Sequence, residues 1–170
     1  MRADQSLGDP GSNPDILSPI RDMAKPVFVL NGPNLNMLGM REPEIYGRDT
    51  LDDVRKRAET RGKALGLAID FRQSNHEGEL IGWIQEARGG ASGIVLNAGS
   101  LTHTSIGILD ALQAAELPVL EVHLSNIFRR DSFRHHSYVS LGAKGVICGL
   151  GVQGYELALD AMAKLVAPVP

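Results

Sequence analysis

The chain has 170 residues, 43% of them hydrophobic and 22% charged, with a net charge of −3. That is enough for one domain with a sizeable core, and the charge excludes the basic footprint of a nucleic-acid or acidic-membrane binder. Its single cysteine, Cys148, rules out an intramolecular disulfide, and no apolar stretch approaches the roughly 20 residues of a membrane-spanning helix.

Residues 1–24 carry Pro10, Pro14 and Pro19 with scattered acids, and lack the basic start and apolar core of a signal peptide. They read as a disordered or loosely docked tail, leaving 25–170 as a single domain. A compartment that keeps thiols reduced, the cytoplasm, is the expected location. Cys148 lies in Val146-Ile147-Cys148 and reads as a buried small hydrophobe.

Short continuous apolar runs at Pro26 to Asn31, Leu67 to Phe71, Gly93 to Asn97, Pro118 to His123 and Gly145 to Cys148 predict five strands of a parallel sheet. Helical patterns lie between them. Leu51, Val54, Ala58 and Leu65 share a face behind a cap at Asp49 or Thr50. Glu79 to Arg88, Thr104 to Ala115, and the stripe Val152, Tyr155, Leu159, Met162 and Val166 supply the others. The alternation predicts an α/β, flavodoxin-like fold with strand order 2-1-3-4-5 and helices on both faces. Ligands then bind beyond the carboxyl ends of strands 1, 3 and 4, at the switch point of the strand order.

Polar clusters follow those three strands. Asn31 and Asn34 flank Gly32-Pro33 and suit turns as well as a binding role. Ser100 and Thr102 read equally as helix caps, and His103 as a helix-entry residue or a ligand contact. Glu121 and His123, two apart in a strand, share a face. A carboxylate beside an imidazole fixes its tautomer and favours its protonated form. The pair is either a satisfied structural couple or a histidine held ready to donate a proton. Ser125 or Asn126 can cap a short helix whose free N–H groups face the crevice and bind an anion. Strand 2 ends in Gln73-Ser74-Asn75-His76, an edge position away from the switch point.

The connection Met37 to Asp49 exceeds ordinary loop length and has glycines at 39 and 47, as a hinged lid would. Arg41 and Tyr46 lie within it. Arg129, Arg130 and Arg134 form a basic run that mostly reads as a solvated face. The five histidines show no metal-ligand spacing, so no metal site is expected, and no phosphate-loop or dinucleotide fingerprint is present. Ser100 with His103 suggests a hydrolase as a rival, but lacks a nucleophile elbow. A Schiff-base dehydratase lacks a lysine in these clusters. A flavodoxin-like nucleotide or flavin binder lacks the loop it would need after strand 1.

Four segments together resemble type II 3-dehydroquinate dehydratases: residues 31–47 (Asn-Gly-Pro-Asn-Leu-Asn…Ile-Tyr-Gly), 73–79 (Gln-Ser-Asn-His-Glu-Gly-Glu), 97–105 (Asn-Ala-Gly-Ser-Leu-Thr-His-Thr-Ser) and 121–126 (Glu-Val-His-Leu-Ser-Asn). Residues 133–138 and 149–155 add to the pattern, which spans about Pro26 to Val166. The resemblance implies a cofactor-free, metal-free lyase converting 3-dehydroquinate to 3-dehydroshikimate in the shikimate pathway, assembled as a dodecamer of trimers. It implies Tyr46 as the tyrosinate base, Arg41 lowering its pKa, and Asn34 holding the water that stabilises the enolate. It further implies His123 as general acid, oriented by Glu121 with Asn97 holding the same region. Leu124 and Ser125 would bind the carboxylate, His103 and Arg134 the ring hydroxyls, and Asp110 would reach a neighbouring subunit's site.

Overall fold

The computed structural model describes residues 24–40 and 48–168. The tail expected over residues 1–24 lies, but for Ala24, outside them. Five strands form one all-parallel sheet: β1 (Val27–Asn31), β2 (Ile69–Gln73), β3 (Gly93–Asn97), β4 (Val119–His123) and β5 (Gly145–Cys148). Their order is β2-β1-β3-β4-β5, the order expected. Among the described residues five α-helices accompany them: α1 (Leu51–Ala64), α2 (Glu77–Gly90), α3 (Ile106–Ala115), the single turn α4 (Val139–Gly142) and α5 (Gln153–Leu165).

Strand periodicity divides the core into two layers. Val27, Val29, Val95, Leu120 and Val122 pack with Val54 and Ala58 of α1 and with Tyr155, Leu159 and Met162 of α5. Phe28, Leu30, Ile94, Leu96 and Val119 pack on the other face with Leu80 and Ile84 of α2 and Ile108 and Leu112 of α3. Alternation then settles where the polar strand ends point. Asn31 and Asn97 continue the rows of Val29 and Val95 toward α5. Glu121 and His123 continue the row of Val119 toward the opposite layer.

Several element ends depart from expectation for identifiable reasons. Thr50 is the cap of α1, in a reciprocal capping box: its Oγ1 accepts from the Asp53 N–H at 3.2 Å, and the Asp53 carboxylate accepts from the Thr50 N–H at 2.9 Å. β2 begins at Ile69, not Leu67. Gly66 adopts φ +72° and the Leu67 N–H bonds back to the Gly62 carbonyl at 2.8 Å, so Leu67 closes α1 instead of starting a strand. α3 begins at Ile106, not Thr104, because Gly99–His103 winds as a 3-10 helix first. Its cap is Ser105, whose Oγ accepts from the Ile108 N–H at 2.9 Å; neither Ser100 nor Thr102 caps it. Cys148 is half-buried, not buried, because β5 is an edge strand that the helices cover incompletely.

The loops leaving β1 and β3 interlock. The Gly32 N–H donates to the Asn97 carbonyl at 2.8 Å, and a Cβ on Gly32 would lie 2.3 Å from the Ala98 carbonyl oxygen. Gly99 has φ +58°, and a Cβ there would lie 2.9 Å from the Pro33 carbonyl oxygen. Gly32→Ala therefore forces the loops apart and is expected to cost more than about 3 kcal/mol. Urea unfolding checks this; a loss under about 1 kcal/mol would show that the interlock yields easily.

Candidate active site

Beyond the carboxyl ends of β1, β3 and β4 lies a cavity of about 230 Å³. That is below the roughly 300–1,000 Å³ of drug-sized pockets and suits a small ligand. Asn34, Asn97 and His103 line it together with His123, Leu124, Ser125 and Arg134. Seven of the sequence-predicted residues thus converge, from three different connections, where the strand order reverses. Glu121 stands behind His123, fully buried. Asp110 is exposed on α3 and does not line this cavity. Arg41 and Tyr46 lie outside the described residues.

The β1 loop is held from strand β2. Asn34 adopts φ 67°, a left-handed conformation that asparagine tolerates well. Its backbone N–H donates to Asn75 Oδ1 at 2.9 Å. Gln73 Nε2 donates to the same Oδ1 at 3.1 Å and lies 3.2 Å from the Gly32 carbonyl. Sequence reasoning set these two residues aside because β2 is an edge strand. Register resolves the matter: Gln73 is level with Asn31, so the chain after β2 comes out beside the loop after β1.

Behind the cavity, Tyr155 of α5 joins β1 to β3. Its hydroxyl donates to Asn31 Oδ1 at 2.7 Å and accepts from Asn97 Nδ2 at 2.9 Å. Asn97 Oδ1 accepts from the Gly99 N–H at 3.2 Å, and Asn31 Nδ2 donates to the Arg72 carbonyl at 3.0 Å. Burial pushes the Tyr155 hydroxyl well above the ordinary phenol value despite the Asn97 bond, so it stays protonated. In the sequence Tyr155 is one member of an apolar stripe, and nothing there signals its polar task.

On the other face, Glu121 Oε1 receives His123 Nε2 at 2.6 Å, Ser137 Oγ at 2.8 Å and Thr102 Oγ1. Burial alone would raise this carboxyl, but these hydrogen bonds outweigh burial and hold it below its ordinary value. Glu121 is therefore ionised and accepts only, so Nε2 of His123 carries its proton. Nδ1 is left as the ring nitrogen available to a ligand.

His103 is built with the opposite polarity. Its Nδ1 lies 2.7 Å from the His136 carbonyl, which can only accept, so Nδ1 carries the proton and Nε2 is an acceptor. The two imidazoles lie nearly parallel with centroids 6.4 Å apart. Burial lowers the His103 pKa, and the nearby His123 and Arg134 add to that, against the His136 bond. Arg134 presents a guanidinium whose buried Nε makes no hydrogen bond among the described residues. Arg130 also lines the cavity, a residue the sequence reading left on a solvated face. After His123, Asn126 caps the short turn Ile127–Arg129, its Oδ1 accepting from the Phe128 N–H at 3.0 Å.

A family model described as "Dehydroquinase class II" matches residues 25–163. The 3-dehydroquinate dehydratase of Phenylobacterium zucineum (strain HLK1) is 61% identical over 143 residues, covering 84% of this chain and 99% of that protein. The 3-dehydroquinate dehydratase of Caulobacter sp. (strain K31) is 58% identical over 144 residues, covering 85% and 98%. The crystal structure of the type II dehydroquinase from Propionibacterium acnes superposes with a TM-score of 0.80 at 47% identity, covering 84% of this chain and 98% of that one.

Two outcomes follow from the buried polar groups. Tyr155→Phe strands Asn31 Oδ1 and Asn97 Nδ2 without a partner and should lower stability by about 1–3 kcal/mol in urea unfolding; an unchanged midpoint would show that the bridge is dispensable. In a histidine NMR titration His103 should titrate below the ordinary value of about 6.5, with Nδ1 protonated in the neutral form. The sign follows: a lowered folded value favours the neutral ring, so stability linked to His103 is present above about pH 6.5 and lost on acidification. A His103 value above 6.5 would overturn this reading.

Proposed function

The chain belongs to the dehydroquinase class II family, and from that premise we propose that it dehydrates 3-dehydroquinate to 3-dehydroshikimate in the shikimate pathway, without metal or cofactor. The observation that carries the reading is the Glu121–His123 pair, a histidine tied at 2.6 Å to a buried carboxylate and lining a small cavity at the switch point. A lyase that expels hydroxide needs such a proton donor.

The steps assign each residue a task. Tyr46, as tyrosinate, takes the proton beside the ketone, and the C–H electron pair moves to the ketone oxygen as an enolate. Ionising a phenol of pKa about 10 at pH 7 costs roughly 4 kcal/mol, which the charge of Arg41 serves to offset. The roles of Arg41 and Tyr46 rest on the family resemblance. Asn34 holds a water against the enolate oxygen. The enolate then collapses, the C–O bond breaks, and His123 delivers a proton to the departing oxygen, releasing water. General acid help of this kind contributes about 10²–10⁴ in rate.

Binding follows the polarity of the cavity. Backbone groups of Leu124 and Ser125 take the substrate carboxylate, with Asn97 holding the same region. His103, an acceptor at Nε2, and Arg134, a donor, take ring hydroxyls. Asp110 reaches the cavity of a neighbouring copy in a trimer, four of which form a dodecamer; its exposure on α3, outside this chain's own cavity lining, supports that role. The enzyme works in the cytoplasm.

Purified protein added to 3-dehydroquinate with a chelator present should raise the ultraviolet absorbance as the conjugated product forms. Tyr46→Phe should keep the fold and lose at least about 10³-fold in kcat, and His123→Ala about 10²–10⁴-fold. No rise from the folded wild-type chain would sink the assignment. Near-normal turnover by Tyr46→Phe would sink the tyrosinate alone.

A further inference from the structure

Two hydroxyl groups that the proposed reaction does not use meet the one carboxylate it depends on. Thr102 sits in the 3-10 helix Gly99–His103 after β3, and Ser137 lies just before α4. Both are buried, and both lie against Glu121 Oε1. Their own oxygens are 2.9 Å apart, and Ser137 Oγ also accepts from the Ser140 N–H at 3.0 Å. Each hydroxyl has one proton. An ionised carboxylate accepts only, so at least one of those protons points at Oε1; when both do, the 2.9 Å contact between the two oxygens carries no proton.

Proton counting also shows what the array rejects. A neutral Glu121 would need its proton on an oxygen. Oε1 already faces three donors, and Oε2 is buried with no hydrogen-bond partner among the described residues. Neither position accommodates the proton well. The hydroxyl pair thus favours the anion, and the anion in turn requires a proton on His123 Nε2.

The two segments are clamped to each other as well. The Tyr138 N–H donates to the Thr102 carbonyl at 2.8 Å, and His103 Nδ1 bonds the His136 carbonyl at 2.7 Å. The same two turns carry His103 and Arg134 to the cavity. One buried carboxylate therefore sets the protonation of His123 and lies at the junction of the turns that present its neighbours.

We propose that Thr102 and Ser137 are positioning residues of the reaction: by aiming their hydroxyl protons at Glu121 Oε1 they hold His123 in the tautomer protonated on Nε2 and leave Nδ1 to exchange the proton with substrate. The inference rests on the proposed dehydration for its catalytic consequence, but not for the tautomer itself. Other charged or titratable groups bear on His123 too. His103 stacks on it, Arg130 and Arg134 line the same cavity, and Cys148 is its register partner on β5.

The test uses the full chain with 3-dehydroquinate as the probe, and compares Thr102→Val, Ser137→Ala, their combination and Thr102→Ser. In the double variant kcat should fall about tenfold with KM within about twofold, since the hydroxyls touch no substrate. The loss should deepen toward acid pH, because without the two hydroxyl donors, which hold its pKa down, the Glu121 carboxyl is protonated more readily as pH falls. Thr102→Ser, which keeps the hydroxyl, should restore both rate and profile. In parallel, NMR of the 15N-histidine-labelled chain should show neutral His123 protonated on Nε2 in the wild type and a mixture of tautomers in the double variant. Should the double variant not fold, the two single variants carry the same comparisons at smaller amplitude. An unchanged tautomer and pH profile in folded variants would overturn the proposal. So would a uniform loss at every pH that Thr102→Ser fails to rescue. The expected tautomer shift between wild type and variants, with a wild type that never turns over 3-dehydroquinate, would overturn the reaction and leave the clamp standing.

Discussion

A carboxylate with no exposed surface lies at the centre of this molecule, and the architecture around the cavity follows from the need to keep it charged. The effective cost of burying one ion is several kcal/mol. Glu121 meets that cost with hydrogen bonds from His123, Thr102 and Ser137. Bonds to a charged group contribute about 1.5–3 kcal/mol each, so three of them are of the right size to hold the anion and two are marginal. The donors come from β4 itself, from the turn after β3 and from the segment before α4. Those pieces of chain cannot drift apart without exposing an unpaired buried charge.

The opposite face of the sheet solves a different problem with neutral groups. Parallel strands β1 and β3 lie side by side and send their loops to opposite sides, which opens the crevice that makes such folds useful. Asn31 and Asn97 stand level at the fork, in register. One phenol bridges them, donating to one and accepting from the other. No charge is involved, and burial keeps the bridging phenol protonated. Gly32 and Gly99 then let the two loops pass at a separation that a Cβ would forbid. A rigid neutral bridge on one face and an anion on the other define the floor of the cavity.

The features legible in the sequence are those carried by a run or a period. Continuous apolar stretches marked five strands, and the rule on carboxyl ends placed the Asn34, His103 and His123 clusters together. The pairing of Glu121 with His123 follows from a spacing of two in a strand. The failures have a common cause. β2 starts two residues later than its apolar run implies because an edge strand is only half covered; Asp70 and Arg72 break the run, while Leu67, which looks like strand, is the apolar residue that closes α1. Thr102 reads in the sequence as a cap and Ser137 carries no local signal, because only the third dimension shows each hydroxyl against a carboxylate 19 or 16 residues away. Asn75 and Tyr155 were missed for the same reason: a partner 41 or 124 residues distant leaves no trace in local pattern.

Two histidines in one cavity, 6.4 Å apart, would compete for a proton if their surroundings were alike. They are not alike. His103 donates from Nδ1 to a carbonyl, a neutral acceptor, beside the positive Arg134; His123 donates from Nε2 to a full negative charge. Environments that separate two titratable groups assign them different chemistry. The ring held against the carboxylate is the one suited to carry a mobile proton, and its neighbour is suited to accept a hydrogen bond without taking the proton away. Because one ring is held on strand β4 against Glu121 and the other on the turn after β3 against the His136 carbonyl, the difference between them is a property of the fold and is present before any ligand enters.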